Sequence, residues 1–278
     1  AAFVAQMQAA LPNAKVSTYI DEKGLSQRQT YQVVLNAVVV DAGFDADTPE
    51  LKVLSGLSGV KAVYRDYKYH TDLYTSTHLI NAPMAWDMLG GQAMAGKGVK
   101  VASMDGGLHK DAAMFDGTGW SYPGGGYPTN GLGLTSNNNG KIIASRAYFR
   151  WWDPPAPGDE NPWPGVNGTS HGTHTGSTAA GNLVTDATFL GTLLPPFSGV
   201  APGAWLMSYR VFYASVRGDG SFHTAEGISA LEDLVKDGAD VVNNSWGGGP
   251  GGIGAPFDAI DNALVNAAKA GVFVSMSN

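Results

Sequence analysis

From Asn167 to Gly181 the chain reads Asn-Gly-Thr-Ser-His-Gly-Thr-His-Thr-Gly-Ser-Thr-Ala-Ala-Gly, and after His171 every residue except His174 is glycine, alanine, serine or threonine. A helix starting there has almost no bulk of its own, so its backbone can lie close against other elements and run through the middle of a fold. It also opens with two imidazoles, and three roles stay open for them. One is a satisfied core histidine. A second is a metal site, since His171 and His174 at i, i+3 face the same side, although the glutamate of the zinc-protease helix is absent and Gly172 stands in its place. The third is a general base in a hydrolase, which needs an acid to orient its ring and a place for an oxyanion.

The flanking sequence reads as alternating strands and helices. Residues 99–104 are apolar almost throughout, the pattern of a strand covered on both faces in a parallel sheet, and they end in Asp105-Gly106-Gly107. Open α/β sheets gather their chemistry at the carboxyl ends of strands, so Asp105 is either a turn-former or a working carboxylate. Farther on, a strand over 205–211, a helix over 224–236 with Ile228, Leu231, Leu234 and Val235 on one face, and a strand over 240–244 make a βαβ unit. A second unit follows, with a helix from Pro256 through Ile260, Ala263, Leu264 and Ala267, and a strand over 272–276. Residues 116–166 are a long irregular excursion holding one strand at 142–148, and its tryptophans are assigned to packing of the loop. The 38 glycines and 15 prolines fit such a turn-rich chain better than a helical bundle.

His171-Gly172-Thr173-His174, with Gly176-Ser177-Thr178-Ala179-Ala180-Gly181 after it, resembles the histidine motif of the subtilisin-like serine proteases, the subtilases. The resemblance implies that His171, not His174, is the catalytic base. Asp105-Gly106-Gly107 is similar to the family's aspartate motif, which makes Asp105 the orienting acid. The family usually carries serine or threonine where Gly106 stands, so backbone donors are expected to hold the carboxylate here. Ser245-Trp246-Gly247-Gly248 resembles the family's Ser-Leu-Gly-Gly edge, which pairs with extended peptide substrate; Trp246 would enlarge that wall of the cleft and Gly247 leaves room for substrate backbone. Asn278, after Ser275-Met276-Ser277, matches the asparagine that donates to the oxyanion, a role worth roughly 3 kcal/mol of barrier. The family's Gly-Thr-Ser-Met nucleophile motif is expected beyond Asn278. Gly168-Thr169-Ser170 does not replace it, because Ser170 adjoins His171 in sequence and is poorly placed to meet that ring.

The expected fold is therefore α/β: a parallel, doubly wound subtilisin-like sheet over 81–278, preceded by a small ferredoxin-like α+β unit. Residues 1–70 read as helix, strand, strand, helix and a last strand at 60–64, and resemble the subtilase propeptide, an intramolecular inhibitor. Residues 67–79 have the polar character of a connector in which His70 and His78 are solvated, with the linker placed at 71–80 and a maturation bond within 70–78. The resemblance implies a secreted serine endopeptidase precursor acting on protein or peptide substrates. No charged-then-apolar leader opens the sequence, which points to a removed leader or a longer precursor, and no apolar run is long enough to span a membrane. A net charge of -7 without a basic stripe argues against nucleic acid. The absence of cysteine excludes disulfides and thiol chemistry. No cofactor or metal is expected; structural calcium is compatible with the family, but no acidic loop with calcium-ligand spacing appears. Gly106 and Ser277 favour an alternative, a catalytically inactive protease-like scaffold that binds extended peptides.

Overall fold

A computed structural model describes residues 2–20, 25–31, 37–43, 51–63, 73–247 and 259–277. The chain divides into two compact units, Ala1–His70 and Thr71–Asn278. In the smaller unit, a helix over Ala2–Ala10 packs Met7 against Ala14 and Leu54, with Phe3, Val4, Leu11, Val40, Leu57 and Val63 around them. Its strands pair antiparallel: Lys15–Val16 with Val40–Asp41, Thr18–Ile20 with Ser26–Arg28, and Thr30–Tyr31 with Ala37–Val38. A second helix covers Leu51–Ser55; Thr48 and Pro49 before it, residue types suited to a cap and a first helical position, lie outside the described residues. Residues 60–63 are not a strand. The amide of Val60 donates to the Leu57 carbonyl at 3.1 Å, closing a turn after the helix, so that donor is not available to a neighbouring strand.

The larger unit begins with two helices, α1 (Leu73–Leu79) and α2 (Ala82–Met88). The connector expected over 71–80 is thus helical from Leu73 onward, with His78 exposed on α1. Neither glycine nor proline occurs within α1, so nothing interrupts the helix. Of the span 70–78, residues 73–78 are helical and 70–72 lie outside the described residues.

The six-stranded sheet is parallel at every pairing. Its strands are β1 (Lys100–Asp105), β2 (Leu132–Gly133), β3 (Ile142–Ala147), β4 (Trp205–Arg210), β5 (Val241–Asn244) and β6 (Phe273–Met276), in the spatial order β6-β5-β1-β4-β3-β2. Helices α3 (His171–Ala180), α4 (Thr224–Lys236) and α5 (Ala259–Lys269) belong to the same unit, as does an antiparallel hairpin pairing Thr188–Phe189 with Thr192–Leu193. Because side chains alternate across a strand, β1 and β4 feed two cores. Ala102, Met104, Met207 and Tyr209 pack with Leu231 and Leu234 of α4 and Leu264 of α5. Val101 and Leu206, on the opposite parity, pack with Ala180 of α3, Leu108, Phe115 and Ile142. Asp105 and Arg210 share that second parity, and they sit directly opposite each other in the β1–β4 register.

Lys141, just ahead of β3, is fully buried. Its ammonium donates to the carbonyls of Pro202 (2.9 Å) and Ala204 (2.6 Å) and sits 4.0 Å from the centre of the Trp120 ring. Burial pushes this amine down to about 7. Between that value and the ordinary lysine range near 10.4, the unfolded chain keeps a proton the folded chain has released. Stability contributed by Lys141 is therefore expected to rise as pH climbs from about 7 toward 10. Thermal unfolding between pH 6 and pH 10 checks this: Lys141→Met should lose that rise while other slopes persist, and identical slopes in both proteins would refute it.

Candidate active site

The carboxyl ends of three adjacent strands, β4, β1 and β5, lie together, and the candidate residues leave the sheet there. Asp105 closes β1 and is fully buried. Its parity turns it toward α3, where Nδ1 of His171 lies 2.9 Å from each of its carboxylate oxygens. A carboxylate only accepts, so Nδ1 carries a proton, and in the neutral ring Nε2 is the nitrogen with the free lone pair. The His171 side chain is 51 % exposed against 0 % for Asp105. One edge of the imidazole is thus held by a buried anion while the ring stays accessible to an incoming group.

Two glycines let the elements meet. A Cβ at Gly172 would lie 2.7 Å from the Gly107 carbonyl and 2.9 Å from the Gly106 amide, so the first turn of α3 reaches the β1 exit only because nothing projects there. A Cβ at Gly106 would lie 2.7 Å from Cγ2 of Thr169, which occupies the space a side chain would need. Thr169 also starts the helix, its hydroxyl accepting from the His171 amide at 3.1 Å. Ser170 holds the capping position without a side-chain capping bond. His174 faces solvent one turn on.

As expected for a glycine at 106, a backbone donor holds the carboxylate: the Gly106 amide donates to Asp105 Oδ1 at 2.6 Å. A second donor is a side chain that the motif reading passed over, the hydroxyl of Thr175, 3.1 Å from Oδ2. Its signal was present in the sequence, because i, i+4 spacing from His171 puts it on the same helical face.

Arg210 was also missed. It ends β4 beside Asp105, and both its side chain and that of Asp159 are fully buried, 2.6 Å apart. The guanidinium also donates to the carbonyls of Asp159, Asn161 and Trp163 at 3.1, 2.7 and 2.8 Å and to Phe212 at 3.1 Å. Asp159 in turn accepts from the amides of Gly165 (2.6 Å) and Ala214 (2.7 Å). One ion pair thereby anchors the irregular stretch that delivers the chain into α3. A charged residue ending an otherwise apolar strand was the available sign.

On the far side of β1, Ser245, Trp246 and Gly247 follow β5. The Trp246 indole N–H donates to the Met104 carbonyl at 2.9 Å, and its ring meets Phe222 edge-on at 4.7 Å. Gly247 is exposed, with nothing within 4 Å of where a Cβ would stand. The Ser245 hydroxyl accepts from the Asn243 side-chain amide at 2.9 Å. Ser277 lies along this segment, its amide donating to the Asn244 carbonyl (3.0 Å) and its hydroxyl to that of Trp246 (2.8 Å). Asn278, the expected oxyanion donor, lies outside the described residues. Among the described residues, no group of three or more His, Asp or Glu side chains comes together as metal ligands would, and no helix is long and apolar enough to cross a membrane.

Comparison with known proteins agrees with this architecture. A model described as the subtilase family matches residues 96–278. The chain is 28% identical to the subtilisin-like protease SBT2.2 of Arabidopsis thaliana over 244 residues, 81% of this chain and 27% of that protein. It is 32% identical to SBT2.1 of the same plant over 207 residues, 68% of this chain and 24% of the relative. With SBT1.6, also from Arabidopsis thaliana, identity is 34% over 153 residues, 51% and 19% of the two chains. The chain spans about a quarter of the length of the first relatives it matches. The matched span opens just before β1 and contains both Asp105 and His171, and the chain belongs to the subtilase family.

Proposed function

We propose that this chain is part of a secreted serine endopeptidase precursor, in which residues 81–278 belong to the catalytic domain, 71–80 hold the maturation bond, and 1–70 form a propeptide that inhibits its own enzyme. The reaction is acyl transfer to a serine carried elsewhere in the full-length protein. Asp105 keeps His171 in the tautomer whose Nε2 is free. His171 takes the serine proton as the hydroxyl attacks the scissile carbonyl, and returns it to the leaving amine. The Asn278 amide donates to the tetrahedral oxyanion, and the edge Ser245–Gly247 aligns the extended substrate. The observation that carries this reading is the 2.9 Å approach of the His171 Nδ1 to both oxygens of a fully buried Asp105.

A fluorophosphonate probe tests the proposal on the full-length protein with its propeptide released. It is expected to label one serine, and His171→Ala is expected to abolish both labelling and peptide hydrolysis. Absence of label in the wild type, with extended peptides still bound, would instead establish the inactive scaffold. Unchanged hydrolysis by His171→Ala would remove the assigned base.

A further inference from the structure

Asp105 is fully buried, and its two oxygens are held unequally. Both face His171, but Oδ1 also accepts the Gly106 amide, whereas Oδ2 has the Thr175 hydroxyl. A threonine inside a helix ordinarily returns its proton to a carbonyl one turn back. Here that carbonyl, of Gly172, is 3.3 Å from Oγ1, farther than the 3.1 Å to Oδ2, and a carboxylate is the stronger acceptor.

We propose that Thr175 is a positioning residue, its hydroxyl clamping Asp105 Oδ2 in place of the side-chain donor that Gly106 cannot supply. A carboxylate turns easily about its last bond, so an oxygen with no fixed partner besides the imidazole leaves the ring's orientation loose. The base and the clamp stand one helical turn apart on α3, so a single rigid element grips the anion twice while the β1 exit grips it once. The substitution at 106 and the clamp belong together. Thr169 fills the volume a side chain at 106 would take, and α3 lies close enough for Thr175 to reach the carboxylate. Gly106 is then not a mark of a decayed site, and the donor has moved from the strand exit to the helix.

The consequence for turnover rests on the endopeptidase reading, but the clamp itself does not, and two measurements separate them. In this chain, proton NMR of the His171 Nδ1–H bound to Asp105 reports the pair directly. Thr175→Val and Thr175→Ala are expected to shift that resonance upfield and speed its exchange with water, and Thr175→Ser to preserve it. In the full-length peptidase the Val and Ala variants should lower kcat about ten-fold with KM within about two-fold, the effect of one hydrogen bond to a charged group, and Ser should restore it. An unchanged resonance in Thr175→Val and Thr175→Ala would overturn the clamp. So would a Ser variant as impaired as Val, because packing of the methyl group would then explain the loss. A wild-type protein that shows the resonance response but takes no fluorophosphonate would retire the peptidase reading and leave the clamp standing.

Discussion

Asp105→Asn is expected to lower kcat of the full-length protein by about four orders of magnitude, the scale seen when the acid of a Ser-His-Asp triad becomes an amide. The replacement is nearly isosteric and the site is fully buried, so the fold has little to rearrange. What changes is the tautomer. With the amide oxygen kept on the Gly106 N–H, the amide nitrogen takes the Oδ2 position 2.9 Å from Nδ1 and donates, which moves the imidazole proton to Nε2, the atom that accepts from the nucleophile in the proposed reaction. In the proposed peptidase the substrate aligns along Ser245–Gly247 and does not touch this carboxylate, so KM should change by less than kcat. Steady-state hydrolysis of a peptide substrate measures both, and a kcat within ten-fold of wild type would show that His171 works without an orienting acid.

The second large effect is on stability. Arg210→Met is expected to destabilise the folded chain by about 3 to 5 kcal/mol, the range for removing one partner of a buried ion pair. The carboxylate of Asp159 would stay buried with only the amides of Gly165 and Ala214 as donors, and the carbonyls of Asn161, Trp163 and Phe212 would lose theirs. Thermal unfolding should show a fall in Tm on the order of 10 °C for a unit of this size. Arg210→Met combined with Asp159→Asn removes the orphaned charge, so the double variant should recover part of the loss. A single variant as stable as wild type would mean that the loop into α3 is held by other contacts.

Legibility differed by element for physical reasons. The helix read at 224–236 is α4, residue for residue, because an apolar face repeats at helical spacing and Gly238 stops it. The strands read at 99–104, 142–148, 205–211, 240–244 and 272–276 appear within a residue at each end as β1, β3, β4, β5 and β6. Near-continuous apolar runs leave little choice inside a sheet covered on both faces. Residues 73–79 carried no such pattern, so their helix was not read, and Leu79 is 87 % exposed. Residues 60–63 looked strand-like because Val60 and Val63 suit a strand, but the Leu57 carbonyl takes the Val60 amide.

Sequence alone determined the alternating elements, the glycines that permit close approach, and a candidate acid and base sixty-six positions apart. Their meeting was decided by tertiary structure: β1 pleats so that Asp105 shares a face with Val101 and not with Met104, and α3 packs on that face. The same geometry selected Thr175 from several hydroxyls on one small-residue helix, and turned Arg210 from an odd strand end into the anchor of a loop. Periodicity is written in neighbouring residues, whereas a contact between distant side chains depends on which face of which strand is covered by which helix, and no local pattern encodes that.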